Sequence, residues 1–134
     1  MQNVLNSLTT LINEYAIKFA AIPENELTVK PAPGKWSKKE ITGHLIDLAQ
    51  NNIQRFVRAQ YEIEPHIVYR QDEWVAAQHY QQYNGQQLVN LWSLLNRHIC
   101  IIPGNLPLEV YSSQVNVGKT ETKLVNVQFL AEDY

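Results

Sequence analysis

The sequence predicts an all-α protein: a four-helix bundle with a long crossover connection and a short last helix. Three observations carry that expectation. Four segments place apolar residues at spacings of three and four, the period of a helix with one inward face. The second segment opens on a capping box, Ser37 with Glu40, and runs to Gln60 without a proline. A long aromatic-rich stretch, residues 61–83, then separates it from the next helix, which fits a crossover better than a simple up-and-down meander.

The first helix is expected over residues 3–20, where Val4, Leu5, Leu8, Leu11, Ile12, Tyr15 and Phe19 share a stripe. Pro23 to Pro33 reads as a connector, with a turn at Pro33-Gly34. Trp36, just before the Ser37 cap, is placed to act as a hydrophobic staple against Ile41. In the second helix Ile41, Leu45 and Leu48 cover one face, and Ile46, Ala49, Ile53, Phe56 and Val57 the adjoining one, so it should be deeply buried. Pro65 follows in the connector, where a short helical turn over Asp72–Gln78, capped by Asp72, is expected. Trp74 and Tyr80 there suit either packing over the helix ends or walling a ligand pocket. The third helix is expected over residues 85–102, with Leu88, Leu91, Trp92, Leu95, Ile99 and Ile102 inward and Pro103-Gly104 as its stop. Residues 105–122 read as an extended excursion or small hairpin around Val110, Val115, Val117 and Gly118. A last helix is expected from Lys123, with Leu124, Val127 and Leu130 inward.

At 134 residues the chain makes one domain, residues 1–134, long enough to bury a core. A formal charge of −2 gives no basic footprint for nucleic acid. No stretch approaches the roughly 20 apolar residues of a membrane span, and the amphipathic start is unlike a signal peptide, so a cytoplasmic location is expected. The single cysteine, Cys100 in an apolar run, excludes an intramolecular disulfide and a cysteine-rich zinc site.

Chemistry concentrates on the second helix. His44, Asp47, Asn51 and Arg55 follow one another at spacings of three and four, a polar line along an otherwise apolar helix. Buried polar groups left unpaired cost about 1–3 kcal/mol each, so the line needs partners. One reading is an internal network closed by Arg55. The other makes His44 a metal ligand or general base, oriented by an acceptor behind it. The chain has four histidines. His98 on the third helix is placed either to approach His44 across the bundle or simply at a helix C-terminus; His66 and His79 fall in the connector and should be exposed. Phosphate-loop, dinucleotide and nucleophile-elbow motifs are absent, as is H-E-x-x-H.

The run P-x-P-G-K-W-S-x-K-E-I-x-G-H-L-I-D, continuing N-N-x-Q-R-F-V-R-A, resembles the DinB/YfiT-like superfamily, and Q-D-E-W-V, N-L-W-x-L-L-N-R-H and F-L-A-E-D-Y follow in the same order. The resemblance covers nearly the whole chain. It implies a four-helix bundle and a divalent-metal site of three histidines, one on the second helix and two in an H-x-x-x-H pair on the last. Only His44 matches, because the sequence stops at the E-D-Y element and is C-terminally incomplete relative to the family. Members with known activity include S-transferases that use bacillithiol or mycothiol and a maleylpyruvate isomerase.

Two functional expectations follow. One is a metal-dependent enzyme of thiol S-transferase or hydrolase type acting on a small molecule. In it His44 binds zinc or nickel, Asp47 and Asn51 stand behind it, Arg55 holds an anionic substrate group, and a low-molecular-weight thiol is a candidate cofactor. The other is a non-catalytic bundle, a ligand-binding or dimerisation module. A shortened last helix would also leave an apolar groove along the second and third helices, so a homodimer is expected.

Overall fold

A computed structural model describes residues 2–134. The long helices are α1 (Gln2–Ala20), α3 (Lys38–Arg58) and α5 (Gly85–Gly104), with the short α6 (Val127–Asp133) as the fourth; α2 (Glu24–Leu27) and α4 (Gln71–Gln78) are local turns of helix between them. α5 packs against both α3 and α1, while α4 and the 3₁₀ turn Tyr80–Gln82 lie on α3. The four-helix bundle with its long connection is therefore as expected, and α6 is the short last helix.

The Ser37 capping box forms in full: its Oγ accepts from the Glu40 amide at 3.2 Å and the Glu40 carboxylate accepts from the Ser37 amide at 3.1 Å. Satisfying two orphan donors at once fixes where α3 begins. Trp36 does not staple onto Ile41, which is 45% exposed; its ring lies against His44, centroids 5.1 Å apart. The 23–33 connector contains α2, tied down by a buried lysine. Lys39 Nζ meets the Glu24 carboxylate at 2.5 Å and donates to the Tyr83 carbonyl at 2.6 Å, and Glu24 also accepts from the Gly85 amide that opens α5.

Three boundaries differ from expectation. Asp72 lies inside the first turn of α4 rather than at its cap, which Arg70 occupies in extended conformation. Pro103 sits within the last turn of α5, where its carbonyl accepts from the Tyr111 hydroxyl, and the helix ends one residue later. The last helix starts at Val127 and not at Lys123. Leu124–Asn126 forms strand β2, paired antiparallel with β1 (Gln114–Asn116) in the register Val115↔Val125. Asn126 then caps α6, its Oδ1 accepting from the Phe129 amide at 2.7 Å. Leu124, expected inward, is accordingly part-exposed on the strand. The hairpin is attached to the connector through Ile67, whose amide donates to the Asn116 carbonyl.

Two apolar clusters make the core. One gathers Phe56, Ile67, Ile99, Val115 and Val127; the other gathers Ile12, Phe19, Ile46, Leu88, Val89 and Trp92 together with Tyr80. Gly43 is where Tyr80 enters, since a Cβ there would stand 2.1 Å from the Tyr80 ring. Gly43→Ala must therefore displace the ring or the helix. Overpacking of that kind costs about 1–3 kcal/mol, and urea denaturation should show a loss in that range. Gly104→Ala is the control: its Cβ finds nothing nearer than 3.6 Å, and its midpoint should stay close to wild type.

Candidate functional site

The polar line on α3 splits into parts with different fates. Asn51 gives its amide to the Asp47 backbone carbonyl at 2.8 Å, and Asn52 gives its own to the Leu48 carbonyl at 2.9 Å. Both bonds reach back one turn of the same helix. Arg55 turns to the connector, its Nε and Nη2 donating to the Ile67 carbonyl at 3.3 and 3.0 Å. Among the described residues it has no carboxylate partner, and burial pulls the guanidinium below its usual range.

Asp47 is wholly buried, at 0% exposure. Its Oδ1 accepts from the Tyr80 hydroxyl at 2.6 Å and from Gln78 Nε2 at 2.7 Å. Gln78 Oε1 lies 2.8 Å from the same hydroxyl, whose single proton it shares with Asp47 Oδ1. Burial pushes the Asp47 carboxyl above its ordinary range, with the Tyr80 and Gln78 bonds and the nearby His44 pulling the other way. Burial and the adjoining Asp47 push the Tyr80 phenol well above its own. Tyr80 is therefore a donor at any working pH, which is what an acceptor-only carboxylate needs.

Two buried atoms are left without a partner among the described residues: His44 Nδ1 and Asp47 Oδ2. They belong to residues three apart on α3, so they lie on one side of the helix one turn from each other. The His44 ring is half-buried and lies against Trp36, and among the described residues its Nε2 has no hydrogen-bond partner. Nδ1 is the inner nitrogen and Nε2 the one at the accessible edge.

The remaining candidates lie elsewhere. His98 is exposed on α5, and His66 and His79 are exposed in the connector, where His66 Nε2 pairs with the Gly118 carbonyl at 2.8 Å. Cys100 is half-buried against the second apolar cluster, and burial raises its thiol. Of the aromatics in the connector, Trp74 sets its ring edge to Tyr69, centroids 5.4 Å apart, and Tyr80 joins the core. Sequence reasoning did not assign Gln78 or Trp36 to the site, and it gave Tyr80 as a packing or pocket-wall aromatic, not as a partner of Asp47. No spacing rule links them to α3, since Tyr80 and Asp47 lie 33 positions apart.

An imidazole nitrogen is a suitable donor for zinc or nickel, and His44 Nε2 is the atom available for it, with the buried Asp47 carboxylate behind the ring. His44 is a single donor, however, and among the described residues no group of three or more His, Cys, Asp or Glu is gathered to hold a metal ion. His44 and Asp47 thus fit part of a divalent-metal site.

No family model and no curated protein matches this chain. Solved structures do. YfiT from Bacillus subtilis, described as a probable metal-dependent hydrolase with an unusual four-helix bundle topology, superposes with a TM-score of 0.77 at 17% identity, covering 96% of this chain and 73% of that one. A mycothiol-dependent maleylpyruvate isomerase superposes with a TM-score of 0.74 at 15% identity, covering 97% of this chain. A variant of that isomerase gives 0.72 at 13%. The chain spans 54% of the isomerase's length. The shared property is the fold: this chain has the four-helix-bundle architecture of YfiT, as its sequence motifs led us to expect.

The bond from Tyr80 to Asp47 is the one to remove. Tyr80→Phe leaves Oδ1 with Gln78 alone, and loss of a buried hydrogen bond to a charged group costs about 1.5–3 kcal/mol. Chemical denaturation at neutral pH is expected to show that loss, whereas Tyr61→Phe, on an exposed ring, should leave stability unchanged.

Proposed function

We propose that this chain, with its YfiT-type bundle, is a divalent-metal-dependent enzyme of hydrolase or thiol S-transferase type, its centre built on His44. The observation that carries the reading is the orientation of His44, with Nδ1 buried and unpartnered and Nε2 free at the accessible edge. The neighbours' descriptions as metal-dependent and mycothiol-dependent support the same class. His44 would hold zinc or nickel with Asp47 beside it, the other coordination positions being filled by water, substrate or donors outside the described residues. The metal would supply Lewis acidity that makes a water or a low-molecular-weight thiol nucleophilic near neutral pH.

The chain's own residues prepare that position. Trp36 restrains the imidazole plane, and Tyr80 with Gln78 holds the Asp47 carboxylate so that one oxygen stays free. Arg55, a half-buried cation with no carboxylate partner among the described residues, is the group available for an anionic part of a small substrate. The second reading is a non-catalytic ligand-binding or dimerisation bundle, favoured by the lack of any group of three metal donors among the described residues.

Metal content separates the readings. Protein purified without chelator and examined by inductively coupled plasma mass spectrometry should carry near-stoichiometric zinc or nickel that is lost in His44→Ala and kept in His98→Ala. No metal in the wild type, or equal metal in both variants, favours the non-catalytic bundle.

We further propose that the chain self-associates through α5. Leu91, Leu94 and Ile101 stay exposed there, Leu94 by 66% and Ile101 by 60%, and with His98 they follow the three–four spacing of a helix-pairing seam. The seam carries no carboxylate or lysine, so two copies can meet about a two-fold axis without opposing charge. Sedimentation velocity should give a dimer that Leu94→Glu returns to monomer; a monomeric wild type contradicts this.

A further inference from the structure

We infer that Asp47 is a positioning residue for His44: its Oδ2 accepts from Nδ1–H, keeps the imidazole proton there and leaves the Nε2 lone pair free at the accessible edge. The inference deepens the metal-dependent reading and rests on it only for its purpose, not for its geometry.

The geometry comes from how the atoms around the pair are used. Asp47 Oδ1 already accepts two donors, the Tyr80 hydroxyl and the Gln78 amide. That leaves Oδ2 as the free oxygen, and it is buried without a donor. Its helix neighbours do not supply one, because the Asn51 and Asn52 amides are bonded to backbone carbonyls of α3 and the Arg55 guanidinium to the Ile67 carbonyl. The other buried side-chain atom without a partner among the described residues is His44 Nδ1, three residues back on α3. Leaving both unpaired would cost about 1–3 kcal/mol each, so pairing them relieves two penalties with one contact.

The direction of that contact is set by chemistry. The two donors at Oδ1 favour the ionised, acceptor-only carboxylate, against the burial that favours the neutral acid. The proton between the residues must then come from Nδ1–H, and a neutral imidazole protonated there has its free lone pair on Nε2. Trp36 lies against the ring, 34° from parallel, and limits the ring flip that would exchange the nitrogens. Tyr80 and Gln78, far along the chain, thus decide which nitrogen of His44 is presented for binding.

The test reads the tautomer itself in metal-free protein. Long-range nitrogen–proton correlation NMR on a neutral His44 ring should show Nδ1 protonated and Nε2 bare. In Asp47→Asn the amide oxygen can still accept from Tyr80 and Gln78, which turns the amide NH₂ toward His44. The tautomer should then invert, with the proton on Nε2. Loss of packing alone would not invert it. A wild-type ring protonated on Nε2, or a tautomer that Asp47→Asn leaves unchanged, overturns the inference. If the variant does not fold, the wild-type spectrum decides by itself. Zinc titration run in parallel should be about ten- to hundredfold weaker in the variant. Should zinc not bind the wild type while the tautomer is as stated, the metal reading fails and the positioning role stands.

Discussion

A carboxylate with no access to water must be given partners, and much of this bundle is arranged around giving them to Asp47. The donors to its Oδ1 do not come from α3, whose backbone amides are engaged in the helix. They come from the crossover: Gln78 at the end of α4 and Tyr80 in the turn after it. For Tyr80 to reach in, its ring has to cross α3 at Gly43, where no side chain stands in the way. Gly43, His44 and Asp47 are therefore one device, in which the missing Cβ admits the phenol, the phenol holds one carboxylate oxygen, and the other oxygen is left beside the imidazole. The long connection is kept in place by the residues that build the site.

This device sits at a polar waist between two apolar clusters. Along α3 the second cluster uses Ile46 and the first uses Phe56, with Asp47, Asn51 and Asn52 between them; along α5 Trp92 and Ile99 flank Asn96 in the same way. Asn96 is engaged from the chain end, its Oδ1 accepting from the Tyr134 hydroxyl while its amide bonds the Trp92 carbonyl. A core divided by hydrogen-bonded polar groups is more demanding of register than a uniform one, since slipping either helix by a turn would bury polar atoms opposite apolar ones. That constraint holds the His44 imidazole in register with the groups behind it.

Features that depend on local spacing were legible in the sequence. The capping box, the stripes of α1, α3 and α5 and the polar line from His44 to Arg55 all arise from periods of three and four. Where the sequence misled, a distant partner decided the outcome. Residues 124–126 are apolar enough for a helix, but β1 claims them as a strand and Asn126 then caps α6. Trp36 had a plausible neighbour in Ile41, and the His44 ring offered it a better one. The donors to Asp47 were invisible for the same reason, as no local pattern shows that a tyrosine in an aromatic connector will pass over a glycine two helices earlier in the chain.

The central claim is that α3 presents His44 Nε2 as a ligand with Asp47 locked behind it. Diffraction at the zinc absorption edge, from crystals grown with zinc, tests it most directly. The account predicts an anomalous peak about 2.0–2.1 Å from His44 Nε2, with Asp47 bonded to Tyr80 and Gln78 in the same map. A map with no peak at α3, or with zinc held only by exposed histidines such as His66 or His98, would contradict it.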